Sequence, residues 1–514
     1  MQLPASRPAL RRAALRRSAL VLAVTAVAAA PLAALAGSAG HHASRAVASF
    51  TPYVVTDGHN HPRSGGEPSI GYDPTHDAVI FGTVGTETLM KFRGLSVVQK
   101  DISVPGTHES LDPITFIDRN TGRIFDDQLL GGCSKMFYSD DAGKNWQPTT
   151  GCGGDVFLDH QSVGGGPFHA PLTGGVDPAY PNAVYYCAQN GFNASCAVSF
   201  DGGLTFGPGQ YISNTPANKP GDPFGGACSG LHGHIKVSQT GTVYVPLKGC
   251  GGTPTGNNLT NSEFFGGHPA VSVSDDNGAT WHVRELAAGN NQDESDNAVA
   301  IDKANRLYMT WEDGTNPSET EYGTRSAAKV AWSDDEGQTW SKPYDLSKAV
   351  GVHNIQFPEI VAGDKGRAAV AFIGTDAVGD DQHIGFKGPD GNPAEWHLYV
   401  ALTYNGGKSW TTIDTTPHNP VQRGCVHMLG LSNKTVTDDN LCDQRNLLDF
   451  NDITMDGQGR VLVAYADGCT DRCVHDPKYL SKDGKQTDAT NYVMRLTGGK
   501  GLLAKYDGKL GPVR

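Results

Sequence analysis

The sequence predicts an all-β chain built as a β-propeller of four-stranded blades, and three observations predict it. A short phrase, Ser/Thr-x-Asp/Asn-x-Gly-x-Thr/Ser/Asn-aromatic, recurs five times. A longer hairpin pattern recurs upstream of it. The 65 glycines and 30 prolines among 514 residues punctuate short alternating segments, with no long amphipathic helical period. Self-similarity of this kind marks a fold whose units bury apolar surface against their neighbours, so one domain grows by adding units rather than by enlarging one core.

The phrase begins at Ser139, Ser199, Ser274, Ser333 and Thr403, giving spacings of 60, 75, 59 and 70 residues. Its acidic or amide position is Asp141, Asp201, Asp276, Asp335 and Asn405, and it closes on Trp146, Phe206, Trp281, Trp340 and Trp410. An Asp or Asn two residues before a glycine folds its side chain onto nearby backbone N–H groups, and the glycine supplies a positive φ. Turns of this kind need no ligand, so these five residues are read as structural.

The upstream pattern is a polar residue, a strand, a turn with Asp and Gly or Asn, and a second strand. Clear members span 67–84, 112–129, 232–249, 296–313, 357–375 and 450–468, with a looser one at 170–189. Two strands here and two around the phrase make a blade. Seven units predict seven blades, with six as the alternative. Residues beyond a lean blade fall in loops at 207–231, 251–268, 376–395, 414–449 and 470–490.

Residues 1–36 have the make-up of a cleavable export signal. Arg7, Arg11, Arg12, Arg16 and Arg17 precede an apolar run from Ala19, and Ala34-Leu35-Ala36 offers a cleavage site after Ala36. Residues 37–514 are then one propeller domain, secreted, with no further membrane-spanning stretch. Removing five arginines takes the formal charge from −13 to −18, which argues against nucleic acid or an anionic membrane as partner. All ten cysteines lie in this domain, as expected for an oxidising destination. Five local pairs are expected: Cys133/Cys152, Cys187/Cys196, Cys228/Cys250, Cys425/Cys442 and Cys469/Cys473.

Propeller inner strands converge on one channel, whose mouth is the natural pocket. Aligned on their turns, the repeats place Glu67, Asp112, His232, Asp296, Phe357 and Phe450 at the opening of each inner strand. Two residues later stand Ser69, Ile114, His234, Ala298, Glu359 and Asp452. Carboxylates held together raise one another's pKa and create a general acid near neutrality. Glu67, Asp112 and Asp296 are accordingly the candidate catalytic carboxylates. His232, His234, Glu359 and Asp452 line the pocket with them, and Phe357 and Phe450 are expected to be exposed for stacking on a sugar. Arg423 and Arg445 are loop arginines available to a ligand. A solvated channel mouth with no chemistry is the bland alternative.

The five-fold phrase resembles the Asp box, or BNR repeat, of the sialidase superfamily. Sialidases have six blades. The resemblance implies a glycan-directed propeller, and in sialidases three arginines clamp the substrate carboxylate while a tyrosine, a glutamate and an aspartate do the chemistry. Their first arginine stands in Arg-Ile-Pro, but the corresponding stretch here is Gly66-Glu67-Pro68-Ser69-Ile70, and Arg-Ile-Pro occurs nowhere in the chain. An acid at that position repels a sialic acid carboxylate. The sequence therefore supports a carbohydrate or glycoprotein ligand, with two readings open: a glycoside hydrolase using paired carboxylates and no cofactor, or a non-catalytic binding propeller. A metal-dependent lyase or hydrolase using His232, His234 and nearby acids is a third.

Overall fold

The computed structural model describes residues 48–106, 111–129, 134–150, 159–172, 177–189, 194–213, 228, 231–250, 267–291, 295–314, 325–382, 385–426, 445–479 and 489–510. The signal-like segment, Cys133, Cys152 and Cys442 lie outside them.

Seven antiparallel sheets form seven blades, six of four strands and one that adds a short fifth, Gln422–Arg423. The inner strands are Ser69–Asp73, Leu111–Ile117, Asp159–Pro167, Lys236–Val237, Ala298–Ile301, Asn354–Ala362 and Asp452–Met455. The N-terminal strand Ser49–Val54 does not start the first blade. It pairs with Thr490–Gly498 as the outermost strand of the seventh, so the two ends of the described chain close the ring. Helix is confined to Arg472–His475 and two 3-10 turns among the described residues.

The core is distributed as the repeat pattern requires. Buried apolar side chains fall into seven clusters, one between each pair of adjacent blades. Trp311 and Trp396 are fully buried at two of these interfaces, and burying a large side chain of this kind contributes roughly 1.5–3 kcal/mol.

The recurring phrase forms the turn between the third and fourth strands. In the first copy Gly143 N donates to Ser139 Oγ at 2.9 Å, and Asn145 N and Nδ2 donate to the Asp141 carboxylate at 2.9 and 2.6 Å. These donors hold the Asp141 carboxyl down at about 2. The copies at Asp201, Asp276, Asp335 and Asn405 repeat the pattern. Arginines of the preceding blade fasten two of these turns: Arg123 Nη1 donates to Gly202 O at 2.7 Å, and Arg306 Nη1 to Gly406 O at 2.8 Å.

One repeat is misplaced by the sequence reading. The third blade's inner strand is Asp159–Pro167, pairing with Asn182–Gln189, so the unit starts well before residue 170. Its Gly164-Gly165-Gly166 run shows no apolar alternation. The reason is close approach: a Cβ at Gly164 or Gly166 would stand 2.8 Å from Ile235 or Val237 of the neighbouring inner strand.

Three of the expected disulfides are present, Cys187–Cys196, Cys228–Cys250 and Cys469–Cys473. Cys425 is disulfide-bonded as well.

Candidate functional site at the channel entrance

Where each inner strand begins, the backbone departs from regular pairing. Register breaks fall between Leu111 and Ile114, Asp159 and Ser162, and Gln356 and Glu359. Glu67, Asp112, His160 and Phe357 adopt left-handed φ values of 51°, 46°, 47° and 58°. Non-glycine residues enter that region at a cost of roughly 1–2 kcal/mol, which surrounding bonds must offset. Bulges of this sort re-aim side chains, and here the Glu67 and Asp112 carboxylates are each bonded to the next blade. Glu67 Oε2 accepts from Asp112 N at 3.1 Å, and Asp112 Oδ2 accepts from His160 N at 3.2 Å. The His160 ring then lies between two carboxylates, Nδ1 3.5 Å from Asp296 and Nε2 3.9 Å from Asp449. Asp449 is gripped by Arg445 at 2.8 and 2.9 Å, and its N–H donates to Glu67 Oε1 at 3.2 Å. Glu67, Asp112, His160, Asp296 and Asp449 thus form one connected set at the entrance.

Burial shapes its charge. Desolvation raises the Glu67 carboxyl well above the carboxylate range, and the neighbouring Asp112 and Asp449 raise it further. Asp112 is pushed up to about 7, by desolvation first and then by Asp159 and Asp449, while His160 opposes the rise. The two carboxyls also hydrogen-bond to one another. His160 is raised as well: desolvation opposes the rise, but the carboxylates around it, Asp296 foremost, outweigh it and hold it protonated. Desolvation drives His232 down to about 4. Its Nδ1 is 3.1 Å from Gly233 O and so carries the proton, which leaves the buried Nε2 a lone pair with no partner among the described residues. Asp296 Oδ1 is likewise buried without a partner among them.

Two residues further down lies a second layer. Asp452 Oδ2 accepts from Ile70 N at 2.8 Å and from Ser69 Oγ at 3.2 Å, lacing the seventh blade to the first. Ser69 and Ser162 do the same for the next strands, accepting from Thr115 N and Ile235 N. His234, Glu359 and Asp452 bring one ligand atom each within 4.8 Å of one another. Below them a cavity of about 640 Å³ follows the channel between Ile114, Val163, Ile235, Ala300, Ile360 and Ile453, with His234 and Asp452 at its end.

Several expectations are corrected by this geometry. Phe357 and Phe450 are 2% and 5% exposed, so neither is a stacking platform. Phe357 packs in the core between the sixth and seventh blades. Phe450 joins the cluster of the second and third blades and meets the His234 ring edge-on at 5.1 Å. Both are bulky side chains at a repeat position where the ring needs apolar filling. Arg423 is on a strand rather than a loop, and is buried against Glu395 with its Nε donating to Cys473 O at 2.7 Å. Arg445 is at the entrance, turned onto Asp449. Glu67 and Asp112, from adjacent blades, are in direct contact, so a sugar does not lie between them.

The repeat register includes neither His160, one of several histidines that precede inner strands, nor Asp449. His160 was hidden by the misplaced third repeat, although correct registration puts it level with Asp112. Asp449 directly precedes Phe450, and the strand-opening pattern reads one residue too late to include it. Behind Asp112 sits a further buried group, Glu87, Asp126 and Asp127, all raised mainly by desolvation, Asp126 to about 6.

Comparison with known proteins fits the architecture. The BNR/Asp-box repeat family matches residues 137–148, the first copy of the recurring phrase. No curated protein matches the chain. Its structural neighbours include proteins named for action on glycans. An ulvan lyase of polysaccharide lyase family PL25 is 9% identical, with 88% of this chain and 96% of that one aligned at a TM-score of 0.47. The intramolecular trans-sialidase of Ruminococcus gnavus is 13% identical over 85% of this chain and 94% of that one, with a TM-score of 0.35. A GH74 enzyme of Niastella koreensis is 14% identical over 81% and 71%, with a TM-score of 0.36. The chain is a seven-bladed β-propeller carrying the Asp-box repeat.

Proposed function

We propose that the protein is a secreted, glycan-directed propeller that cleaves a carbohydrate at the entrance ring. The observation that carries this reading is a buried carboxyl held protonated up to near neutrality beside a buried cationic imidazole. Asp112, held at about 7, shares a proton with Glu67, while His160 beside it is kept as a cation by Asp296. A carboxyl raised to near neutrality is suited to a general-acid role. In this reading Asp112 gives the proton to the leaving oxygen. Asp296, with one carboxylate oxygen unengaged, is the partner carboxylate. Glu67 is a positioning residue, since both its oxygens accept backbone N–H bonds. The His232 Nε2 lone pair accepts a sugar hydroxyl.

The ring's chemistry also selects its ligand. A mouth rich in carboxylates, with its nearest guanidinium already turned onto Asp449, favours a neutral or basic sugar over a sialoside. The signal-like residues 1–36 and the disulfides support secretion, where polymeric glycans are met.

The test is turnover by purified protein on a panel of chromogenic glycosides and polysaccharides, with Asp112→Asn, Asp296→Asn and Glu67→Gln alongside. New reducing ends without a new C=C absorbance identify hydrolysis, and the absorbance identifies elimination. Loss in both aspartate variants, with a partial loss and shifted pH profile in Glu67→Gln, is expected. Binding without turnover on every substrate would favour the non-catalytic reading. That reading draws on one specific observation, that the ring's hydrogen bonds also serve to lace the blades.

A further inference from the structure

We propose that His234, Glu359 and Asp452 form a binding site for one divalent transition-metal ion in the throat of the channel, beneath the entrance ring. The three come from the inner strands of the fourth, sixth and seventh blades. Each offers one ligand atom, and all three atoms lie within 4.8 Å of one another. The fifth blade stands between two of them and places the small Ala298 at the same repeat position.

Four features distinguish this trio from an ordinary hydrogen-bonded cluster. First, His234 Nδ1 is 3.9 Å from Asp452 Oδ1, beyond hydrogen-bond reach. Ligands about 2.0–2.1 Å from a tetrahedral ion stand roughly 3.4 Å apart, so a small contraction brings this pair to that spacing. Second, Glu359 is 2% exposed and its Oε2 has no hydrogen-bond partner among the described residues, an expensive position for a carboxylate oxygen. Third, the ligands are already oriented. Ile70 N and Ser69 Oγ hold Asp452 through Oδ2, and Phe450 packs edge-on against the His234 ring. Outer contacts of this kind fix ligand geometry at metal sites. Fourth, His234 and Asp452 line the 640 Å³ cavity, which gives an ion access and leaves room for water at its open positions.

The donor set points to the kind of ion. One imidazole with two carboxylates suits Zn²⁺ or Mn²⁺, whereas Ca²⁺ prefers six or more oxygens. Lys236 is the competing charge. It acts electrostatically on both His234 and Glu359 but closes no ion pair among the described residues, so it tempers the affinity without occupying the site.

The test uses the purified protein stripped with chelator and titrated calorimetrically with Zn²⁺, Mn²⁺ and Ca²⁺, with elemental analysis of the unstripped protein. One saturable Zn²⁺ or Mn²⁺ site per chain is expected, weakened at least about tenfold in Glu359→Gln and in His234→Gln. Asp141→Asn, in a distant turn, is expected to keep the wild-type isotherm. Circular dichroism and melting curves identify which variants fold, and either throat variant alone suffices. Absence of saturable binding to wild type overturns the proposal. So does a folded throat variant that binds as wild type does, because surface histidines would then account for the signal.

Discussion

Replacing Asp112 by asparagine removes a carboxyl that the fold keeps protonated up to near neutrality, and the consequence for stability is calculable. The folded-state value is raised from an ordinary 3.8 to about 7. A raised value means that the folded state holds the proton more tightly than the unfolded chain. The stabilising contribution is therefore complete below about pH 4 and is lost as pH climbs through about 7. A shift of about 3 units corresponds to about 4 kcal/mol at full ionisation. This is an upper bound, because Glu67 takes up part of the same proton. Asparagine preserves the shape, still accepts from His160 N and offers its own N–H to Glu67, but it does not ionise. The assay is thermal unfolding of wild type and Asp112→Asn across pH. At about 2 °C or less per kcal/mol for a domain this large, the variant should gain on wild type by up to about 8 °C between about pH 4 and pH 8. A difference between the two proteins that stays constant across this range would refute the reasoning.

Three other predictions follow from the same geometry. If Asp112 gives its proton to the leaving group, the alkaline limb of turnover should fall as pH rises through about 7; a pH–rate profile checks it. Phe450→Ala should cost about 3–5 kcal/mol, measured by denaturant unfolding, because the side chain fills the core rather than waiting for a ligand. Deleting 49–54 removes the strand that closes the seventh blade on Thr490–Gly498, and should expose 490–498 to amide exchange while the third and fourth blades stay protected.

What the sequence makes legible here is whatever repeats. The five Asp-box turns were readable because the turn needs specific residues at fixed offsets, and the hydrogen bonds at Asp141 and Asp335 are made by those residues. Seven blades followed from counting hairpins, even though the seventh is completed by a strand from the other end of the chain. The third repeat was misread because close packing around the channel demanded glycine where the pattern expected alternating apolar residues. Within the candidate site, Glu67, Asp112 and Asp296 were found by registering repeats, and that method is blind to what lies beyond the register. It gives no sign that Glu67 and Asp112 touch, that Phe357 and Phe450 turn inward, or that Asp449 enters from a loop. Those outcomes depend on the left-handed backbone at the strand openings, and the residues there are not glycine.

The central claim is that a sugar binds over the entrance ring with Asp112 at its leaving oxygen. The most direct measurement is a crystal structure of Asp112→Asn with an oligosaccharide that the wild type cleaves or binds. The account predicts a sugar ring in hydrogen-bond contact with residue 112 and with His232 Nε2. A saccharide seated elsewhere on the propeller, with the entrance ring closed and unchanged, would contradict it.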